Sequence, residues 1–217
     1  MQPRLTPTLL ALAAATALLG ACKPASEPAA ASAPAATAAP APATATPAPG
    51  ASAATSAAAP AAESNAYTLA AGGHGFATGP MMSAHTIYVF FDTTCPHCAH
   101  LWQAVQGADP KLKVVWMPIG LLRPQSAPQG ATILAAADPK AAMAANEASV
   151  LANGKGIEVP GSLDDAVLDK VKANTELFRK FNADSVPLIV FRNAKTGQVG
   201  QHAGAVDAAR LSEFAGL

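Results

Sequence analysis

Long apolar runs and helical stripes alternate along the second two thirds of the chain. HTIYVFFD (His85 to Asp92) is continuously apolar, aromatic and β-branched, the pattern of a strand covered on both faces. LKVVWMP (Leu112 to Pro118) and PLIVFR (Pro187 to Arg192) read the same way, with Gln198 to Ala203 as a weaker strand beside the latter. Helical spacing predicts segments over Pro96 to about Val105, Gly130 to Ala137, Lys140 to Ala152, Leu163 to about Phe181, and a last one from Val206. In the fourth, Leu163, Val167, Val171, Phe178 and Phe181 fall on one face, and Ser162 followed by Asp165 predicts a capping-box-like start. A strand, a helix, a second strand, a block of helices, then a hairpin and a closing helix describe an α/β sandwich whose helices cover a central sheet.

Composition changes the picture upstream. Residues 1–21 read as a signal peptide, because Arg4 precedes an apolar run from about Leu9 to Leu19 that is too short to span a membrane stably. Leu19-Gly20-Ala21-Cys22 resembles the lipobox of bacterial lipoproteins, which predicts that Cys22 is acylated. Lys23 after it resembles lipoproteins sent on to the outer membrane. The rest of residues 22–63 is almost entirely Ala, Pro, Ser and Thr without an aromatic residue, so it cannot bury a core. Its recurring prolines predict a semi-rigid tether, reaching roughly 35 Å as a flexible coil and roughly 125 Å fully extended. Residues 64–217 then form one domain, large enough to enclose a core. Lys plus Arg (14) balance Asp plus Glu (14), so charge gives no reason to expect nucleic acid as a partner.

Chemistry concentrates in TTCPHCAH (Thr93 to His100), which holds two of the three cysteines and two of the five histidines. Cys95 follows a buried strand and opens a helix, since Pro96 suits the first helical position and Leu101, Trp102 and Val105 continue at helical spacing. Unpaired N–H groups and the positive end of the helix dipole favour a thiolate there, so Cys95 is expected to have a depressed pKa. Cys98 faces the same side one turn later, close enough for a disulfide and more buried. His97 between them adds a donor or positive charge. Other readings exist. Haem attachment needs Cys-x-x-Cys-His, and Ala99 stands where that histidine belongs. A zinc or copper site would use Cys95, His97, Cys98 and His100, with Met81 and Met82 as further soft ligands; adjacent positions on one turn diverge, however, and a second ligand pair is missing. A purely structural disulfide over three residues would constrain an unfolded chain little. Asp92 reads equally as a proton acceptor for Cys98 or as a turn residue. His74, His85 and His202 read as isolated, Trp102 and Trp116 as core, and Gly204 as allowing close backbone approach before the final helix.

YVFFDTTCPHCAHLWQ, VVWMPIGLLRPQSAPQGATILAAADP and FNADSVPLIVFR together resemble the catalytic domain of the bacterial periplasmic DsbC/DsbG thiol-disulfide interchange proteins, DsbG above all. The resemblance implies a thioredoxin-like fold with a helical insertion, at about residues 120–182 here. It also implies Cys95 as nucleophile, Cys98 as resolving cysteine, Pro187 as a cis-proline facing them, and Val186 as the backbone that pairs with an extended substrate. Cysteine-containing envelope proteins and a membrane redox partner that resets the pair follow from it, as does chemistry without a cofactor or metal. The family's N-terminal dimerisation module is replaced by the tether and a short segment around Tyr67 to Met82, which predicts a monomer. The Cys-Pro-His-Cys quartet and the valine before Pro187 are similar instead to the oxidase DsbA. The expected protein is a lipid-anchored periplasmic thiol-disulfide oxidoreductase whose direction of electron flow stays open; the alternative is a metal-binding or metal-delivery lipoprotein.

Overall fold

A computed structural model describes residues 66–217. The expected signal peptide, Cys22 and the tether lie outside the described residues. A short helix α1 (residues 66–71) leads into β1 (Phe76–Thr78), β2 (Thr86–Asp92), α2 (Pro96–Gln106), β3 (Lys113–Ile119), α3 (Ser126–Ala135), α4 (Pro139–Leu151), α5 (Asp165–Arg179), β4 (Leu188–Arg192), β5 (Val199–Ala203) and α6 (Ala208–Ala215). The five strands form one mixed sheet in the order β1-β3-β2-β4-β5. β2 and β3 run parallel, while β1, β4 and β5 each pair antiparallel with their neighbours.

β2 is the centre of the sheet and is buried on both faces, as its unbroken apolar sequence requires. Successive side chains point to opposite faces. Phe90 therefore packs on Phe178 and Phe181 around α5, at ring separations of 6.0 and 5.3 Å. Phe91 meets Trp116, which in turn meets Trp102 of α2 at 5.1 Å. Full burial of Phe90 contributes on the order of 2–3 kcal/mol. The sheet is thus clamped between α5 on one face and α2 on the other, and the three helices α3, α4 and α5 fill the chain between β3 and β4.

Several local expectations shift. α3 begins at Ser126 instead of Gly130, because Pro128 falls in the first turn, where its missing N–H would have had no partner. α5 is capped by Asp164, whose carboxylate accepts from the Ala166 N–H at 2.8 Å; Ser162, two residues earlier, lies outside the helix. α1 and β1 are additional elements: three residues of strand carry no readable period, and β1 exists because β3 offers it an edge. Gly204 is not a point of close approach, since a Cβ there would meet open space; its φ of +103° is what calls for glycine. Among the described residues no helix is long and apolar enough to cross a membrane.

Replacing Gly204 with Ala is expected to lower the unfolding free energy by about 1–2 kcal/mol through backbone strain alone. Urea titration of both proteins checks this, and an unchanged midpoint would show that the loop relaxes to negative φ.

Candidate active site

The junction between β2 and α2 places the sulfurs. Cys95 is the N-cap of α2, with φ −91° and ψ 116°, and Pro96 opens the helix. The Cys95 N–H donates to the Asp92 carbonyl at 3.1 Å, which fixes a tight turn off the end of the strand. Both cysteines are free and buried, Cys95 at 3 % exposure and Cys98 at 0 %. Cys95 makes no side-chain capping hydrogen bond, yet its sulfur sits at the open start of the helix and its pKa is held down to about 6 from 9.0. The Cys98 S–H donating to it is the first cause, joined by the backbone N–H groups of Cys98 and His97 and the charge of His97; burial opposes them. Burial, and then the neighbouring Cys95, push Cys98 well above 9.0. The two thiols are therefore strongly unlike, one ionised at neutral pH and one not. His97 acts through its N–H and its charge while its ring faces solvent.

A third segment completes the arrangement. Cys95 Sγ lies 3.6 Å from the Val186 carbonyl oxygen, across 91 residues of chain. The Val186–Pro187 peptide bond is cis, and both residues are buried. As a thiol Cys95 donates to that carbonyl; once ionised it has no proton to give, and the carbonyl becomes available to another donor.

Asp92 is occupied as an organiser of turns. One carboxylate oxygen accepts from the Thr94 N–H (2.9 Å), the Thr94 hydroxyl (2.8 Å) and the Ser126 hydroxyl (2.7 Å). The other accepts from the N–H groups of Leu121 and Leu122, both at 2.9 Å. Five donors satisfy this buried anion and tie the end of β2 to the start of the helical block. Sequence reasoning missed a second layer. The Asn146 amide donates to the Thr93 carbonyl at 2.8 Å and accepts from the Ile157 N–H at 3.0 Å. Thr93 donates to Gln129 and to the Ser126 carbonyl, and Gln129 in turn holds the Lys155 and Ile157 carbonyls. Beside Asn146, Glu147 is fully buried. Its pKa is pushed up to about 8, chiefly by burial and further by the negative charges of Cys95 and Asp92, against the donation from Asn146. Within the alanine-rich segment no period or motif marks Asn146 and Glu147 as buried.

The proposed metal set does not gather. Cys95 and Cys98 are buried while His97 and His100 face outward, and among the described residues no three His, Cys, Asp or Glu side chains are placed to hold an ion. Met81 and Met82 are exposed at the opposite end of β2, roughly 20 Å away along a seven-residue strand. His85 binds the Ala215 carbonyl through Nδ1 at 2.9 Å, and His202 packs on Phe214. A cleft of about 340 Å³ lies beside the redox turn, lined by Thr94, Pro96, Arg123, Gln125 and Lys155 among others. Larger cavities, such as that of about 530 Å³ beside Tyr67 and Arg192, lie away from the sulfurs.

Comparison with known proteins bears on the family and the fold. The family described as "thioredoxin-like domain" matches residues 81–215. The thiol:disulfide interchange protein DsbG of Pseudomonas aeruginosa is 29% identical over 142 residues, covering 64% of this chain and 54% of that protein. DsbG of Escherichia coli is 27% identical over 146 residues, covering 66% and 57%. The chain thus spans little more than half the length of these curated relatives. Among solved structures, the catalytic domain of Proteus mirabilis ScsC superposes with a TM-score of 0.53 at 21% identity, covering 71% of this chain and 93% of that one; that is a likeness of fold.

The reduced protein is expected to lose reactivity toward iodoacetamide as pH falls, with a midpoint near 6 set by Cys95 and with Cys98 unlabelled. The folded pKa of Cys95 lies below its unfolded value, so its contribution to the stability of the reduced state is complete above pH 9 and lost as pH falls through 6. A midpoint above 8 by alkylation kinetics would contradict a sulfur held ionised by Cys98 and the start of α2.

Proposed function

From the premise that the chain belongs to the thioredoxin-like domain family, we propose that it is a thiol:disulfide oxidoreductase acting on cysteines of bacterial envelope proteins. The observation that carries this reading is the pair of unlike thiols at the start of α2, with the ionised one set against the Val186 backbone. The Cys95 thiolate attacks one sulfur of a substrate disulfide, forms a mixed disulfide and expels the other sulfur as a thiolate. Cys98 then attacks Cys95, the intramolecular disulfide closes, and the second substrate thiol leaves. Two electrons pass from the pair to the substrate; run backwards, the same steps oxidise a substrate dithiol.

An extended substrate segment docks by donating a backbone N–H to the Val186 carbonyl, in the manner of an added strand. Backbone bonds read no side chains, so the range of substrates is broad. The pKa difference also bears on direction. A thiol at about 6 instead of 9.0 stabilises the reduced pair by about 1.4 kcal/mol at pH 7, equivalent to about 30 mV toward a more oxidising couple. That leaning agrees with the Cys-Pro-His-Cys quartet and favours disulfide donation, with a membrane redox partner restoring the disulfide. The chemistry needs no cofactor or metal. The domain works as a monomer in the periplasm, carried by the lipid on Cys22 and the tether that follows, at the outer membrane.

Cys95→Ser is expected to abolish turnover in an insulin or scrambled-substrate exchange assay. Cys98→Ser is expected to accumulate mixed disulfides with envelope proteins, seen as reductant-sensitive adducts on gels after acid trapping; absence of both effects would end the exchange mechanism. Cys22→Ala is expected to abolish incorporation of labelled palmitate and to move the protein from the membrane to the soluble periplasmic fraction.

A further inference from the structure

Two buried carboxyl groups flank the cysteine pair, and they are provided for in opposite ways. Asp92 receives five hydrogen bonds and is a satisfied anion. Glu147, equally buried, accepts only from the Asn146 amide, at 3.3 Å through Oε1, and its Oε2 has no partner. A buried carboxyl with a single long hydrogen bond favours its neutral form. Placement beside the sulfurs is firm, because the neighbouring Asn146 holds the Thr93 carbonyl, two residues before Cys95, and α4 packs against α2.

The charges acting on Glu147 are both negative: the Cys95 thiolate and the Asp92 carboxylate. Of the elements packed on α4, α3 and β1 carry no ionisable side chain, and α2 brings only the cysteines and the outward-facing His97 and His100. Glu147 in turn acts on Cys98, where its charge opposes ionisation. One of the causes that keep Glu147 protonated therefore disappears whenever Cys95 enters a disulfide.

We propose that Glu147 is the proton store of the Cys95/Cys98 pair: neutral while Cys95 is a thiolate, it ionises when Cys95 joins a mixed disulfide, and its carboxylate then draws off the Cys98 proton as the intramolecular bond closes. The proposal rests on the exchange reaction described above and deepens it. Against glutathione disulfide the step balances as follows. The first sulfur–sulfur bond breaks as Cys95 attacks, and the departing glutathione thiolate takes the proton that Glu147 releases. The Cys98–Cys95 bond then forms, the Cys95–glutathione bond breaks, and the Cys98 proton reaches the second glutathione by way of Glu147. Two electrons leave the cysteine pair, and two protons leave Cys98 and Glu147, giving two glutathione thiols and an ionised Glu147. Glu147 acts here as a positioning residue, through its charge and its proton; Cys95 and Cys98 make the bonds.

The test uses the full chain and the variants E147Q and E147D. Reduced-minus-oxidised infrared spectra, with the pair oxidised by diamide, are expected to contain a neutral-carboxyl band that E147Q lacks and E147D retains. Stopped-flow reaction of the reduced protein with glutathione disulfide is expected to show closure of the intramolecular disulfide slowed ~10-fold or more in E147Q. That loss should be largely restored in E147D, although Gln is the closer match in shape. A purely structural role would give the reverse ranking. No redox-linked carboxyl band, or wild-type closure in E147Q from pH 6 to 9, overturns the proposal while leaving exchange itself intact. Because diamide needs no protein substrate, the infrared result decides the proposal even where exchange with envelope proteins is absent.

Discussion

The sulfur of Cys95 sits at the start of a helix whose first N–H groups no side-chain oxygen caps, and the chemistry of the domain depends on that position. N–H groups at the start of α2 need an acceptor. No side chain caps them here, and the N–H groups of His97 and Cys98, with the positive end of the helix dipole, favour the ionised sulfur. Cys98, one turn along, serves this arrangement twice: its S–H donates to the thiolate, and its own burial keeps that proton in place. The asymmetry between the two thiols comes from position along one helical turn.

Holding the cap still is a matter for the surrounding elements. β2 enters the turn as a strand buried on both faces and clamped by Phe178 and Phe181 on one side and by Trp116 and Trp102 on the other. From its end, Asp92 reaches forward to Thr94 and across to Leu121, Leu122 and Ser126. Asn146 and Gln129 extend the same bracing to Thr93. The block of helices between β3 and β4 is thereby fastened to the redox turn by polar contacts, not by apolar packing alone. Buried polar networks of this kind are costly unless every member is paired, and within this one the exception is a single oxygen of Glu147.

Asp92 and Glu147 show how environment separates two groups of one chemical kind. Five donors saturate Asp92 and make it a scaffold. Burial, offset by only a single long bond from Asn146, leaves Glu147 with a pKa of about 8, within reach of physiological pH and responsive to the charge on Cys95. Neither role can be read from residue type, because both are acids in or beside apolar segments.

Local chemistry sufficed for the strand, the turn and the helix that carry the cysteines. The run from His85 to Asp92, Pro96 at the first helical position and the three-residue spacing of Cys95 and Cys98 act within one strand and one turn, where period and steric preference leave a direct trace. The same locality explains why β4, β5 and helices α2 to α6 were legible to within a few residues, while α1 and β1 were not: the three residues of β1 borrow their strand character from β3. From the residues themselves, Val186–Pro187 showed only that a cis bond was affordable at the opening of a strand; its place opposite Cys95 came from resemblance. Only the folded chain sets the Val186 carbonyl 3.6 Å from the sulfur, turns Asp92 from an even choice into a saturated anion, and buries Glu147 beside the pair. Those are contacts between segments tens of residues apart, specified by the closing of the sheet and the packing of α4 on α2, and no periodicity along the sequence encodes them.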